Sequence, residues 1–494
     1  MNWLLRLLVA FVVAINSAAS QWIVESLPGY AGTLPFKLET GYIGVGENDE
    51  VQLFYYFIES ENEPTRDPLL LWLNGGPGCS AFSGLVYEIG PLAFDVENFD
   101  GSLPSFILNP YSWTKVANII FLDYPVGSGF SYSNSSTAYS SSDTKSTQHN
   151  YTFLRKVTSQ MCSNNHHPFL PVSLFMFELK MQWLLAHPAF IKNNLFIAGD
   201  SYGGHIVPML TLQIAQGNEA GLQPIMSLKG YIIGNPVTHE NKDKNEVIPY
   251  AHRMALISDK QFKLARSSCH GEYVNPDPNN VKCLFALYII KQCTKLINAA
   301  HILEPLCKYV SPRPSDSRRF QPWLVDDPVD FLSLSLSNRD ELKCRNQNYL
   351  NSYVWANDES VRESLHIRKG TITDWKRCNK SLSYEYEYDI ESVVEYHQIL
   401  SDRGFQALVY SGDHDMSIPY MGTLKWIRKL NVSLEDEWRA WTVDGQVAGY
   451  TEMYKNNQAT LIFATVKGGG HTAPEYKPKE CLEMIKRWLS LYPL

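Results

Sequence analysis

Charge is scarce in this chain: only 19% of its 494 residues are Asp, Glu, Lys or Arg, and 43 basic side chains face 51 acidic ones for a formal net charge of −8. Lys and Arg form no cluster, and Arg318-Arg319 is only a pair. Binding a phosphate backbone needs basic side chains massed on one face, so nucleic acid is excluded as a partner. After the first twenty residues no apolar run approaches the ~20 residues that cross a bilayer. Internal repeats are absent, and no His/Cys group has zinc-ligand spacing, so neither a metal nor a cofactor is expected. Nothing in the composition is collagen-like, coiled-coil or disordered. With 45% hydrophobic residues the chain can bury a large core.

The N-terminus is different. Arg6 precedes the apolar run Leu7 to Ile15, and Ser17, Ala18, Ala19 and Ser20 follow as the small residues of a cleavage site. This predicts a signal peptide over 1–20, a mature domain over 21–494 and no stable membrane anchor once the signal is removed. Four Asn-x-Ser/Thr acceptors, Asn134, Asn150, Asn379 and Asn431, agree with a secretory route. So do nine cysteines, of which Cys269, Cys283, Cys293 and Cys307 lie close enough to staple one local region. An odd count leaves at least one thiol unpaired or joined to another chain.

Gly41 to Val45 and Val51 to Ile58, parted by the polar Gly46 to Asp49, read as an antiparallel hairpin. Leu69–Leu73, Ile119–Leu122, Leu195–Ala198, Tyr231–Ile233, Ala407–Tyr410 and Leu461–Ala464 are short apolar runs suited to a parallel sheet covered on both faces. Helical patterns lie between them, such as 175–186 and Pro478 to Leu491, so the fold class is α/β. The stretch from about 240 to 355 breaks that rhythm with prolines, five cysteines and no strong strand, which predicts an inserted cap over the site.

Chemistry concentrates at Gly199-Asp200-Ser201-Tyr202-Gly203-Gly204, a Gly-x-Ser-x-Gly turn between an apolar run and the helical spacing of Ile206, Val207, Leu210 and Ile214. This is a nucleophile elbow, in which a serine rides a sharp strand-to-helix turn. A serine hydroxyl needs a base, and the base needs a carboxylate to fix its tautomer. His471 follows a strand and three glycines. Asp413 and Asp415 both follow the strand ending near Tyr410; Asp415 is the expected acid and Asp413 a turn residue. In Trp72 to Ser80 the glycines free backbone N–H groups, making Gly76 and Tyr202 the expected oxyanion donors.

Trp72 to Ser80, Gly199 to Gly204, Tyr410 to Asp415 and Gly470 to Pro474 together resemble the serine carboxypeptidase family, in matching order over nearly the whole mature chain. The stretch Trp438 to Tyr450 resembles the plant members in particular, including the carboxypeptidase-like acyltransferases. The resemblance implies an α/β-hydrolase fold, a Ser201-Asp415-His471 triad, passage to the vacuole or cell exterior, and a role in plant secondary metabolism. It also implies a Cys79–Cys344 disulfide with further pairs among Cys269, Cys283, Cys293 and Cys307. Arg318-Arg319 resembles the linker excised from two-chain members, and an uncut exposed loop accounts for it equally.

In the family's peptidases Trp72, Asn74, Gly75 and Glu88 correspond to groups that grip a substrate's terminal carboxylate, with a glutamate before the nucleophile. Here that residue is Asp200, as in the acyltransferase branch, whose members pass an acyl group from a 1-O-β-glucose ester to an alcohol or amine. Gly203-Gly204 departs from that branch's usual Ser-Gly, which leaves the acceptor class open. The expected partners are therefore a small acyl donor and acceptor, with a peptide end as the alternative substrate and a non-catalytic scaffold as the third reading. The sequence does not indicate an oligomeric state.

Overall fold

The computed structural model describes residues 20–97, 102–155, 183–306 and 345–494. Residues 1–19, the expected helix over 175–182, Cys307, Arg318-Arg319 and Cys344 lie outside the described residues.

Eleven strands form one continuous path through the main sheet. They are β1 (Ser20–Val24), β2 (Leu38–Val45), β3 (Val51–Ile58), β4 (Leu69–Leu73), β5 (Asn118–Leu122), β6 (Leu195–Asp200), β7 (Leu228–Gly234), β8 (Gln406–Gly412), β9 (Ser433–Val443), β10 (Gln446–Asn456) and β11 (Ala459–Val466). The order is β1-β2-β3-β5-β4-β6-β7-β8-β11-β10-β9. The six strands from β5 to β11 in that order run parallel, flanked by antiparallel strands at both ends. Every apolar run expected to be a buried strand is one, and the predicted hairpin is β2–β3 with Val45 opposite Val51. The chain has an α/β-hydrolase fold.

Side chains alternate across a strand, so each run feeds two layers. Leu70, Trp72, Phe121, Ala198, Leu408 and Tyr410 fill one. Leu69, Leu71, Leu73, Ile120, Ile197, Val409 and Phe463 fill the other. The helix Gly203–Glu219 closes the second face with Ile206, Val207, Leu210 and Ile214. Pro478–Leu489 closes the first with Cys481, Leu482, Ile485 and Trp488. Each fully buried aliphatic or aromatic side chain contributes about 1.5–3 kcal/mol relative to exposure.

Among its described residues the insert between β7 and β8 is mostly helical, and its first part, from 240 to 306, has its own small core built on Ile248, Tyr250, Ala265, Ala286 and Ile290. Its later part differs. Trp355 stacks on Phe82 with centroids 4.9 Å apart and donates its indole N–H to Pro28 O at 2.7 Å. The end of the expected cap stretch therefore packs into the main core.

Two expectations need correction. Cys79 is bonded to Cys378, not Cys344, because the two backbones form an antiparallel bridge supported by Ser80 N–H to Arg377 O at 2.7 Å and Asn379 N–H to Gly78 O at 2.9 Å. Cys269 pairs with Cys283, inside the group where a pair was expected, and Cys293 and Cys481 have no disulfide partner among the described residues. Asn150 faces inward from the helix Asp143–Leu154 with no exposed surface, so the folded chain has no room for a glycan there. Asn134 and Asn431 are exposed, and Asn379 is half-buried with its amide donating to Gly127 O. Finally, β9 and β10 form a long hairpin about Asp444-Gly445 that the apolar pattern did not reveal.

Replacing both Cys79 and Cys378 by serine should lower the unfolding free energy in urea by about 5 kcal/mol, since their link spans 299 residues. The Cys269/Cys283 pair spans 14, so its removal should cost only about 3 kcal/mol.

Candidate active site

β6 delivers Ser201 at the C-terminal edge of the sheet, in the left-handed region at φ +52°. Bare neighbours make this possible. A side-chain carbon on Gly199 or Gly203 would lie 2.4 or 2.2 Å from Leu73 O, and one on Gly204 would lie 2.4 Å from Pro236 Cβ. The elbow is thus pressed against β4 and the loop after β7, and a residue held in this region needs such surroundings. Ser201 N–H donates to Gly234 O at 2.9 Å.

Ser201 Oγ lies 2.8 Å from His471 Nε2, and His471 Nδ1 lies 2.8 Å from Asp415 Oδ2. The three residues come from the ends of β6, β8 and β11, brought together by the parallel order of those strands. Asp415 is fully buried: Oδ2 also accepts Asn235 Nδ2 at 2.8 Å, and Oδ1 accepts the N–H groups of Ser417 at 2.7 Å and Ile418 at 3.3 Å. Asp413 points elsewhere, accepting Gly468 N–H at 2.7 Å and meeting His414 Nδ1 at 2.6 Å, and so ties the two loops together. Burial pushes the His471 pKa down, but the charges of Asp415 and Asp200 outweigh it and leave it raised above 6.5. The array can take a proton from Ser201 and hold the resulting imidazolium.

Two supports escaped sequence reasoning. Asn235, at φ +42°, fixes Asp415 and accepts Gly412 N–H at 3.1 Å. Its readable signal was Gly234-Asn235-Pro236 directly after a strand, since Asn tolerates left-handed backbone. The segment 298–302 of the insert threads between the two loops. Ala299 O accepts Met416 N–H and Ser417 N–H, and Ala300 O accepts His471 N–H at 2.7 Å. A side chain on Gly470 would lie 2.5 Å from that same Ala300 oxygen, which explains a glycine there.

The loop after β4 lies against the elbow, with a carbon added to Gly75 falling 2.7 Å from Tyr202 N. Gly76 N–H and Tyr202 N–H donate to no backbone oxygen among the described residues. Trp72 is wholly enclosed and sits behind Asn74, to whose Oδ1 it donates at 3.2 Å; its part is to orient that amide. Asn74 Nδ2 faces two carboxyls, Glu88 Oε1 at 2.9 Å and Asp200 Oδ1 at 3.3 Å, and Gly75 N–H also reaches Asp200 Oδ1 at 3.2 Å. Burial, then the charges of Asp200 and Glu475, drive Glu88 well above the usual carboxylate range. Asp200 is pushed up to about 6 by burial, against the opposing pull of His471 and of the Gly75 and Asn74 hydrogen bonds. Glu475, unforeseen from sequence, accepts Thr472 Oγ1 at 2.7 Å and Tyr349 OH at 2.9 Å.

A serine, an imidazole and a buried carboxylate at hydrogen-bond distance above a parallel sheet define an α/β-hydrolase site. The fold also aligns with that of Kex1, a prohormone-processing carboxypeptidase from Saccharomyces cerevisiae, at a TM-score of 0.66 and 19% identity over 92% of this chain and 91% of that one. The profile described as serine carboxypeptidase matches residues 28–173 and 172–491. Serine carboxypeptidase-like 7 of Arabidopsis thaliana is 45% identical over 99% of this chain and 98% of its own length. Serine carboxypeptidase-like 11 of the same plant is 44% identical over the full length of both chains. The chain belongs to the serine carboxypeptidase family.

Asn235→Leu removes one hydrogen bond to a buried carboxylate, about 1.5–3 kcal/mol. Steady-state kinetics should show a fall in kcat of about ten- to a hundredfold. In the wild type, kcat/KM should rise with pH through an inflection above 6.5, as His471 loses its proton. Asp200→Asn removes one of the charges that raise it, so the inflection should move to lower pH.

Proposed function

We propose that this protein is an acyltransferase that takes an acyl group from a 1-O-β-glucose ester and passes it to an alcohol or amine. Ser201 Oγ attacks the ester carbonyl while His471 Nε2 takes its proton, and Gly76 N–H and Tyr202 N–H hold the oxyanion. The proton then passes to the departing glucose oxygen, leaving acyl-Ser201. The acceptor gives its proton to His471 and attacks the acyl carbon, and His471 returns that proton to Ser201 Oγ as the acyl–oxygen bond breaks. Asp415 fixes the imidazole throughout.

Asp200 carries this reading. Its short side chain is taken up by Gly75 N–H and Asn74 rather than extended toward a ligand. Glu88, Asp200 and Glu475 bury three carboxyls in one neighbourhood, and Glu88 feels the charge of both others. An incoming terminal carboxylate would meet that charge, whereas a neutral sugar offers hydroxyl donors to the same acceptors. The similarity to two plant carboxypeptidase-like proteins supports the family and is neutral between transfer and hydrolysis.

One observation favours carboxypeptidase activity as the second reading. With Asp200 pushed up to about 6 and Glu88 well above its usual range, protonated carboxyls are available in acid to donate to a peptide's terminal carboxylate. Secretion to the vacuole or cell exterior fits either reading, with Asn134 and Asn431 open to a glycan.

Purified enzyme offered acyl-glucoses with mixed alcohol and amine acceptors should release glucose and transferred ester or amide, as followed by mass spectrometry. Blocked dipeptides at acid pH should be cut far more slowly. Release of C-terminal residues without transfer would overturn the proposal, and Ser201→Ala should abolish both activities. Asp200→Glu, one methylene longer, should raise the ratio of peptide hydrolysis to transfer.

A further inference from the structure

From Ser201 to Gly204 the elbow has one large side chain, Tyr202, and its ring is held on several sides. The hydroxyl donates to Asp143 Oδ1 at 2.6 Å. One ring face lies on His205, with centroids 5.3 Å and planes 19° apart, and Tyr386 and Tyr388 meet it edge-on at 6.0 and 5.6 Å. Asp143 has no exposed surface. The same Oδ1 accepts Tyr386 OH at 3.0 Å, and Oδ2 accepts Ile390 N–H at 3.1 Å. His205 Nε2 sits 2.9 Å from Ile390 O and 4.0 Å from Asp143 Oδ2. Three stretches far apart in sequence therefore converge on one carboxyl: the start of the helix Asp143–Leu154, the elbow, and residues 386–390 of the insert.

Packing alone does not call for this arrangement. A buried carboxyl costs free energy unless donors surround it, and apolar side chains of similar size fill such a space at less cost. The Tyr202 peptide, however, follows a residue held at φ +52° and precedes two glycines, so no other large side chain anchors it. We propose that Asp143 is a positioning residue for catalysis: by gripping the Tyr202 hydroxyl it aims the Tyr202 peptide N–H at the oxyanion formed on the acyl carbon. An oxyanion donor works only when fixed before charge develops, so a small rotation of this peptide slows acylation without loosening substrate binding. The inference rests on Ser201 being the acylated nucleophile.

The test compares full-length wild type with Asp143→Ala, Asp143→Asn and Tyr202→Phe, using a p-nitrophenyl ester for acylation and butylboronic acid as a tetrahedral adduct on Ser201. Asp143→Ala should lower the acylation rate constant by about 10–100-fold with KM within about twofold, and the boronate Ki should weaken in step. Asn can still accept the tyrosine hydroxyl, so Asp143→Asn should recover most of the rate, while Tyr202→Phe should behave like Asp143→Ala. Wild-type rates in both Asp143→Ala and Tyr202→Phe would overturn the inference. So would a raised KM at constant rate, or an unchanged boronate Ki beside a slowed rate. If Asp143→Ala does not fold, Tyr202→Phe decides by the same criteria. Failure of a fluorophosphonate to label wild-type Ser201 would overturn the nucleophile reading and this inference together; normal labelling with unaltered variants overturns the inference alone.

Discussion

Everything at this site depends on one tight contact, the pressing of the Gly199 to Gly204 turn onto the carbonyl of Leu73 and the ring of Pro236. That contact leaves no space for side chains and holds Ser201 at a positive φ, which lifts its hydroxyl toward His471. Because Leu73 ends β4 and Pro236 follows β7, the strands on either side of β6 set the position of the turn. The loop after β4 then has only one place to lie, against Tyr202 N. Sheet order, the placing of Ser201 and the placing of the glycine loop are therefore one constraint rather than three.

Two kinds of buried carboxyl share this small volume. Asp415 is surrounded by donors from Asn235, His471, Ser417 and Ile418, an environment that suits a fixed negative charge beside an imidazolium. Glu88 and Asp200 divide a single amide between them, and burial pushes both upward. The first arrangement holds the imidazole beside Ser201. The second keeps protons within reach at acid pH, next to the elbow but separate from the triad's own hydrogen bonds.

Much of this was legible in the sequence, because parallel strands covered on both faces are continuous apolar runs and the elbow needs glycines at fixed offsets. The rest depended on direction or return. Asp413 and Asp415 share one turn, and only the approach of Gly468 shows which of them faces His471. The partner of Cys79 depends on where the long insert after β7 comes back, which local spacing does not encode. Asn150 satisfies an acceptor motif that reads three residues and ignores the inward face of its helix. The pair β9–β10 stayed hidden because its outer strand is mostly exposed and polar, although Asp444-Gly445 is a recognised hairpin turn.

That hairpin also determines how the sheet stops. β9 is a border strand of 11 residues, a length of unpaired backbone that invites another chain to add on. Three irregularities in its register against β10 bend it, and Glu435, Asp436 and Glu437 stand in sequence along it. A strand arriving here would have to follow a kinked template and cover a run of negative charge. The border nearest His471's strand is thereby protected against edge-to-edge aggregation, a safeguard for a sheet this wide.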